Sequence, residues 1–217
     1  MSTEDTGILK RNTLFAKRTS AVLFCLFDKK GCFLDYGGGY GLFVRIMRDR
    51  GFNFYWTDPF TENLFARGFE YNAVRTNKID LITSFECFEH FTDPMKEVEN
   101  MLSLAPSLLF STETFSSGTP DPDVWEYYYF SHGQHISLFS LSSLRTIAQK
   151  KNLHFYTNGK SFHLLTPRSL NTMTFAVLLK LSLAGLSPLI ALMMKSNTKP
   201  DSATVGQIKS MTNENTK

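Results

Sequence analysis

The sequence predicts an α/β fold: a mostly parallel sheet with helices on both faces, followed by an apolar helical extension. Three observations predict it. Strand-like and helix-like stretches alternate along most of the chain, the pattern of strand–helix–strand units. Residues 34–41 read LDYGGGYG, a glycine turn between an apolar strand run and an amphipathic helix run. Residues 153–167 read LHFYTNGKSFHLLTP, two strand runs joined through Asn158-Gly159, a hairpin signal.

The elements follow in order. Residues 8–27 form a helix with Lys10, Arg11, Lys17 and Arg18 on its exposed side. Residues 32–36 are the first strand and 41–50 a helix, with Leu42, Phe43, Ile46 and Met47 at helical spacing and Gly51 as the stop. FNFYWTD (52–58) is the second strand, and TENLFARG a short helix capped by Thr61. Residues 69–74 form a weak third strand. IDLITSFE (79–86) is the fourth, apolar almost throughout, as in a strand buried on both faces. A helix over 93–105 has Asp93 as N-cap and Pro94 in its first turn, and 106–114 is the fifth strand. Residues 115–135 are loop-like and carry the aromatic stretch WEYYYF; 140–151 is a helix, and the hairpin brings the strand count to seven. The domain plan is an N-terminal helical segment (1–30), the main domain (31–167), an apolar extension (168–198) and a flexible polar tail (199–217).

Composition narrows the class. The 217 residues suit one domain with a modest extension, and 42% hydrophobic residues suffice for a packed core. A net charge of +3 with no long basic block does not demand nucleic acid. Cys25, Cys32 and Cys87 are odd in number and form no C-x-x-C pair, so they read as small core residues of a reducing, cytoplasmic protein. The polar N-terminus, MSTEDTGILKRN, is not a secretory signal.

A strand, a glycine turn and a helix in that order make a nucleotide-binding corner. The dinucleotide fingerprint G-x-G-x-x-G fails here, because the sixth position from Gly37 is Leu42. What stands instead is D-x-G-x-G-x-G: Asp35, Gly37, Gly39 and Gly41. This resembles motif I of class I S-adenosylmethionine (SAM) dependent methyltransferases of the type 11/23 kind, over about residues 30–165. The resemblance implies a Rossmann-like, seven-stranded sheet whose last strand is inserted antiparallel. It also implies SAM as cofactor, cradled by Gly37, Gly39 and Gly41, with Asp35 supporting the loop or reaching the SAM amino group. Asp58 closes the second strand, where an acid can accept both ribose hydroxyls; the alternative is a turn aspartate before Pro59. Phe85 would line the adenine or methionine pocket. Tyr36 and Tyr40 flank the loop, as ligand cover or as packing.

A second cluster, SFECFEHFTDP (84–94), lies where open α/β sheets put their ligands, at the carboxyl end of a strand. Glu86, Glu89 and His90 fall within five positions, and adjacent buried carboxylates need a proton or a cation between them. The segment resembles the E-x-x-E-H signature of ubiquinone-biosynthesis O-methyltransferases and of small-RNA 2′-O-methyltransferases. That likeness implies a divalent cation (Mg²⁺, Mn²⁺ or Zn²⁺) held by Glu86, Glu89, His90 and, from downstream, His135. Two other readings stay open. His90 or His135, with Glu89, acts as a metal-free general base, or the acids are solvated and His90 bonds locally.

The stretch from Trp125 through His135 to Ser140 resembles the acceptor side of methyltransferases that act on sugars and natural products. Trp125, Tyr127, Tyr128 and Tyr129 offer flat surfaces for a ring, or are simply core. The reaction implied is methyl transfer to a hydroxyl, or another heteroatom, of a small-molecule, sugar or glycan acceptor. RNA is weakened by the low charge. Rivals from other classes are a non-catalytic SAM-binding module and an NAD oxidoreductase, the latter disfavoured by Leu42. The apolar run 173–194 approaches the length of a membrane span, but Lys180 sits near its middle and Pro188 breaks it. It is expected to pack on the domain, join a homodimer or lie peripherally on a membrane.

Overall fold

The structure, a computed structural model, describes residues 6–72, 78–116, 118–128 and 135–214; the side chains of residues 172 and 207–214 are not described. Tyr129 and the end of the expected third strand, residues 73–74, lie outside the described residues.

The elements are α1 (Ile8–Leu26), β1 (Cys32–Tyr36), α2 (Leu42–Asp49), β2 (Asn53–Thr57), β3 (Leu81–Ser84), a 3₁₀ turn (Phe88–His90), α3 (Pro94–Leu104) and β4 (Leu108–Ser111). Then follow β5 (Thr114–Phe115), a second 3₁₀ turn (Glu126–Tyr128), β6 (Phe139–Ser140), α4 (Leu141–Lys150), β7 (His154–Thr157) and β8 (Phe162–Thr166). The chain closes with α5 (Thr172–Leu181), a π turn (Ser182–Leu186), α6 (Ser187–Met193) and α7 (Thr198–Glu214). The main sheet runs β2-β1-β3-β4-β8-β7, with β8 antiparallel to both neighbours and the first four strands parallel. This is the expected Rossmann-like α/β class. The strand count is six rather than seven among the described residues. The segment expected as the third strand does lie beside β2, but only through the bridge Trp56–Glu70.

Successive strand residues point to opposite faces, and the core splits accordingly. Phe33, Leu81, Leu109 and Leu164 join α1, α2, α5 and α6 on one face, while Leu34, Ile82, Leu108 and Leu165 join α3 and α4 on the other. Both faces are covered, which is why β3 reads as an unbroken apolar run.

Several expectations are corrected. TENLFARG forms turns rather than a helix; Asn63, not Thr61, accepts the Ala66 amide, and its own amide donates to Glu70. The hairpin, by contrast, stands as expected, and the Asn158 side chain braces its turn by accepting the amides of Lys160, Ser161 and Phe162. Cys25 is exposed, not core. The tail expected to be flexible is helical over Thr198–Glu214 and docks through Asp201. That buried carboxylate accepts both arms of Arg48, at 2.8 and 2.7 Å, and Arg45 at 2.8 Å. Arg48 also stacks 3.6 Å over the Phe69 ring.

Candidate functional site

The glycine turn begins where β1 ends. Gly37, Gly39 and Gly41 all have positive φ (72°, 53° and 82°), so the three spaced glycines coincide with three left-handed backbone positions. At Gly37 a side chain is doubly excluded, since a Cβ would stand 2.6 Å from the Cys87 sulfur. The turn is fastened to β2. The amides of Gly37 and Gly38 donate to the Thr57 carbonyl, Trp56 Nε1 donates to the Gly39 carbonyl at 2.8 Å, and the Gly39 amide donates to Asp58 at 2.9 Å.

This turn forms one wall of a cleft. Opposite it stands the first half of α1, with Ile8, Arg11, Asn12 and Phe15; Phe43, Phe85 and Glu86 close the remaining sides. Phe85 stacks on Phe15 at 4.5 Å and meets Phe43 edge-on at 5.0 Å, so the apolar part of the cleft is a rigid aromatic surface. Asp35 is buried at the cleft and accepts the Thr83 hydroxyl at 2.6 Å. Burial pushes its carboxyl up, Thr83 pulls it down, and the charge of Asp58 adds to the rise, to about 7.

Of the residues assigned to the cofactor, Asp35, Gly37, Gly39 and Phe85 line the cleft. Gly41 is instead the residue before α2, and Asp58 is turned into bracing: besides the Gly39 amide it accepts those of Phe60 and Thr61. Tyr40 lines the cleft, whereas the Tyr36 hydroxyl donates to Glu97 of α3 and packs away from it.

The acid–histidine cluster lies just beyond. Glu86 adopts a positive φ of 54°, which ends the strand direction and sends its side chain back to the cleft rim. There it accepts the Ser111 hydroxyl at 2.9 Å and faces Arg11 at 3.7 Å. The next turn, Phe88–His90, carries Glu89 inward, and the Glu89 carbonyl accepts the amides of Ile136 and Ser137. That pairing brings His135 to the turn. Glu89, His90 and His135 each offer a ligand atom within 4.8 Å of the others, and the two imidazole centroids are 4.9 Å apart. Glu86 is outside this group, so the structure brings together three of the four residues expected to hold a cation.

Two details give the group chemical capacity. Glu89 is 1% exposed, and its Oε2 has no hydrogen-bond partner among the described residues. Burial and then the charge of Glu86 push its carboxyl up to about 8, against the pull of the Tyr127 and Thr112 hydroxyls nearby. His135 Nδ1 lies 2.5 Å from the Tyr127 carbonyl. A carbonyl only accepts, so Nδ1 carries the proton and Nε2 is the basic nitrogen. Burial, with the charge of His90 adding to it, lowers the His135 pKa.

In the aromatic stretch, Trp125, Tyr127 and Tyr128 are half-buried. Trp125 packs against Phe115, Tyr127 and Tyr128, and Tyr127 lies 4.4 Å from the His135 ring. Ser140 is the N-cap of α4 in a capping box with Ser143, a structural role. Sequence reading missed the α1 wall: Arg11 was placed on an exposed face, and nothing in the helix periodicity marks which end of α1 meets the cleft. Arg18, also expected outside, is half-buried 5.5 Å over the Phe162 ring.

A family model described as a methyltransferase domain matches residues 10–157, which is more than half of the chain. The chain belongs to the SAM-dependent methyltransferases. No curated protein matches it in sequence. Among solved structures, the chain is similar to magnesium protoporphyrin IX methyltransferase from Synechocystis PCC 6803 with bound SAH, at 14% identity and a TM-score of 0.52, covering 76% of this chain and 89% of that one. It is likewise similar to the plantazolicin methyltransferase BpumL in complex with SAH, at 14% identity and a TM-score of 0.54, covering 73% and 84%. An O-methyltransferase family protein from Burkholderia thailandensis matches at 14% identity and a TM-score of 0.54, covering 75% and 57%. These likenesses establish the fold, and SAM is the cofactor of the family to which the chain belongs.

Proposed function

We propose that this methyltransferase holds SAM in the cleft between the glycine turn and α1, and methylates a hydroxyl of a small-molecule, sugar or glycan acceptor presented at Glu89, His90 and His135. The cleft suits the cofactor: Gly37, Gly38 and Gly39 keep its wall free of side chains, Phe85 and Phe15 offer a flat apolar face, and Asp35 offers a carboxylate for an amino group. Bound SAM supplies an electrophilic methyl on a sulfonium. What the protein must add is alignment and a destination for the acceptor proton.

The observation that carries the acceptor reading is the buried Glu89 Oε2, without a partner among the described residues, beside two imidazoles. His135 Nε2, or the Glu89 carboxylate once it is ionised above about pH 8, can take the proton of an acceptor hydroxyl as its oxygen gains the methyl; Tyr127 holds the ring in the tautomer this needs. One carboxylate and two imidazoles are also a donor set that suits Zn²⁺ or Mn²⁺. A cation on these three residues would lower the pKa of the acceptor hydroxyl. Glu86 stays at the cleft rim with Arg11 and orders the boundary between the two halves.

The test is methyl transfer from labelled SAM across panels of phenols, sugars and nucleotide-linked sugars, with and without chelator. The proposal expects turnover on a hydroxyl acceptor, lost in Glu89→Gln. Full activity in excess chelator removes the cation and leaves the general base. Transfer to nitrogen or carbon only, unaffected by Glu89→Gln, would overturn it.

A further inference from the structure

The apolar extension is built inside out. The two serines at its kink, Ser182 and Ser187, are buried: Ser182 donates to the Leu179 carbonyl, and Ser187 accepts from Arg50. Its large apolar side chains point the other way. Met173, Val177, Leu181, Leu183, Leu189 and Leu192 are all exposed, Met173 at 71% and Leu192 at 85%. Only one side of the pair, with Phe175, Leu178, Leu179 and Ile190, packs into the core shared with α1. A contiguous exposed apolar face of this kind marks an interaction surface.

The kinked geometry argues against a straight span. The run Met173–Met193 has the length and hydropathy of one, but Gly185 has φ 126° and breaks it, and Pro188 sits in the first turn of α6. The two legs, of 10 and 7 residues, are about 15 and 10 Å long, against a hydrocarbon core of about 30 Å. A kinked pair with one face packed on protein and the other apolar suits an interface, lying flat.

Charge identifies the surface. Between residues 127 and 200 the sequence contains no Asp or Glu, but eight Lys or Arg, in a chain whose total is +3. Four of the eight belong to the extension and its ends: Arg168 before α5, Lys180 in its last turn, and Lys195 and Lys199 after α6, all exposed. Cations bordering an apolar face complement an anionic bilayer, where the stems lie along the apolar boundary and the charges meet the headgroups.

We propose that α5 and α6 dock this enzyme on an anionic lipid surface, with Leu183, Leu192 and Met173 entering the acyl boundary and Lys180, Lys195 and Lys199 contacting acidic headgroups. This goes beyond the methyl-transfer reading and does not depend on it. The experiment is flotation of the full-length protein with phosphatidylcholine vesicles that contain or lack phosphatidylserine. Binding is expected to the phosphatidylserine vesicles, at least tenfold weaker without that lipid, and to fall as salt rises. Leu183→Glu with Leu192→Glu should reduce it more than tenfold, and replacing the three lysines by Gln about a hundredfold. These positions are exposed, and circular dichroism with an unchanged thermal midpoint verifies that each variant is folded. Absence of flotation, equal binding to both vesicles, or variants that float like the parent would overturn the proposal. So would a parent that is a stable dimer in light scattering, becomes monomeric on Leu192→Glu and ignores vesicles, since the face would then belong to a second copy of the chain.

Discussion

Two neighbouring regions at the carboxyl ends of the strands treat their polar groups in opposite ways. Around the glycine turn the groups are already matched: Asp58 accepts three amides, Trp56 holds the Gly39 carbonyl, and Asp35 accepts from Thr83. Around Glu89 a buried carboxylate oxygen has no partner among the described residues, two imidazoles stand nearly 5 Å apart, and burial pushes the carboxyl up to about 8. A matched cradle costs no reorganisation when its ligand arrives. An unmatched buried oxygen is destabilising unless something binds to it. The contrast agrees with the proposed function, in which the first region holds a ligand that is always the same and the second serves the chemistry of the acceptor.

The largest expected effect is on the unmatched side. Glu89→Gln or His135→Ala should lower turnover by about 10²–10⁴-fold, the usual worth of a positioned acid–base group, while SAH affinity stays within about twofold. Steady-state kinetics beside calorimetry reads both, and a parallel loss of SAH binding would merge the two regions into one. A structural contrast comes next. Arg48 and Asp201 are a matched, buried pair, though less deeply buried than Glu89, and removing one partner strands the other's charge. Asp201→Ala should therefore cost about 3–5 kcal/mol in chemical denaturation; a loss below about 1 kcal/mol would mean that α7 does not anchor the domain.

The pH response separates the regions further. Asp35 and Glu89 are acids whose folded pKa, about 7 and about 8, stands above the unfolded value. The folded state thus binds these protons more tightly. The stability this gives is complete below about pH 4 and is lost as pH rises through 7 and 8. Asp35→Asn should flatten the loss between about pH 4 and 7 and leave that of Glu89; unchanged slopes in urea titrations at stepped pH would refute the assignment. The smallest effect is Ser140→Ala, which removes the α4 cap for about 1 kcal/mol and should leave turnover untouched. A strong effect on turnover would return Ser140 to the acceptor side.

The same contrast explains what the sequence made legible. Local physics was readable: glycines at left-handed positions, Asp93 capping α3, and β3 as a strand buried on both faces. Long-range pairing was not. His135 reaches Glu89 because two amides after it bond to the Glu89 carbonyl across 47 positions, and no periodicity records that. Glu86 shares the E-x-x-E-H stretch yet leaves the cluster, because one residue with φ 54° reverses its direction. Arg11 and Arg18 carry full charges at polar-looking helix positions, and only the packing of α1 over the sheet shows them half-buried. The 199–217 tail looked structureless because its anchor, Asp201, finds its arginines about 150 residues away.

The central claim is that the turn after β1 encloses the cofactor, and one titration addresses it directly. SAH is titrated calorimetrically into the parent and into Gly37→Val, where a side chain would meet the Cys87 sulfur at a left-handed position. Measurable binding by the parent and a loss of at least about a hundredfold in the variant, with its α/β circular dichroism retained, is the predicted result; by ordinary affinity arithmetic that is about 2.7 kcal/mol. Equal binding by both proteins, or none by the folded parent, would contradict it.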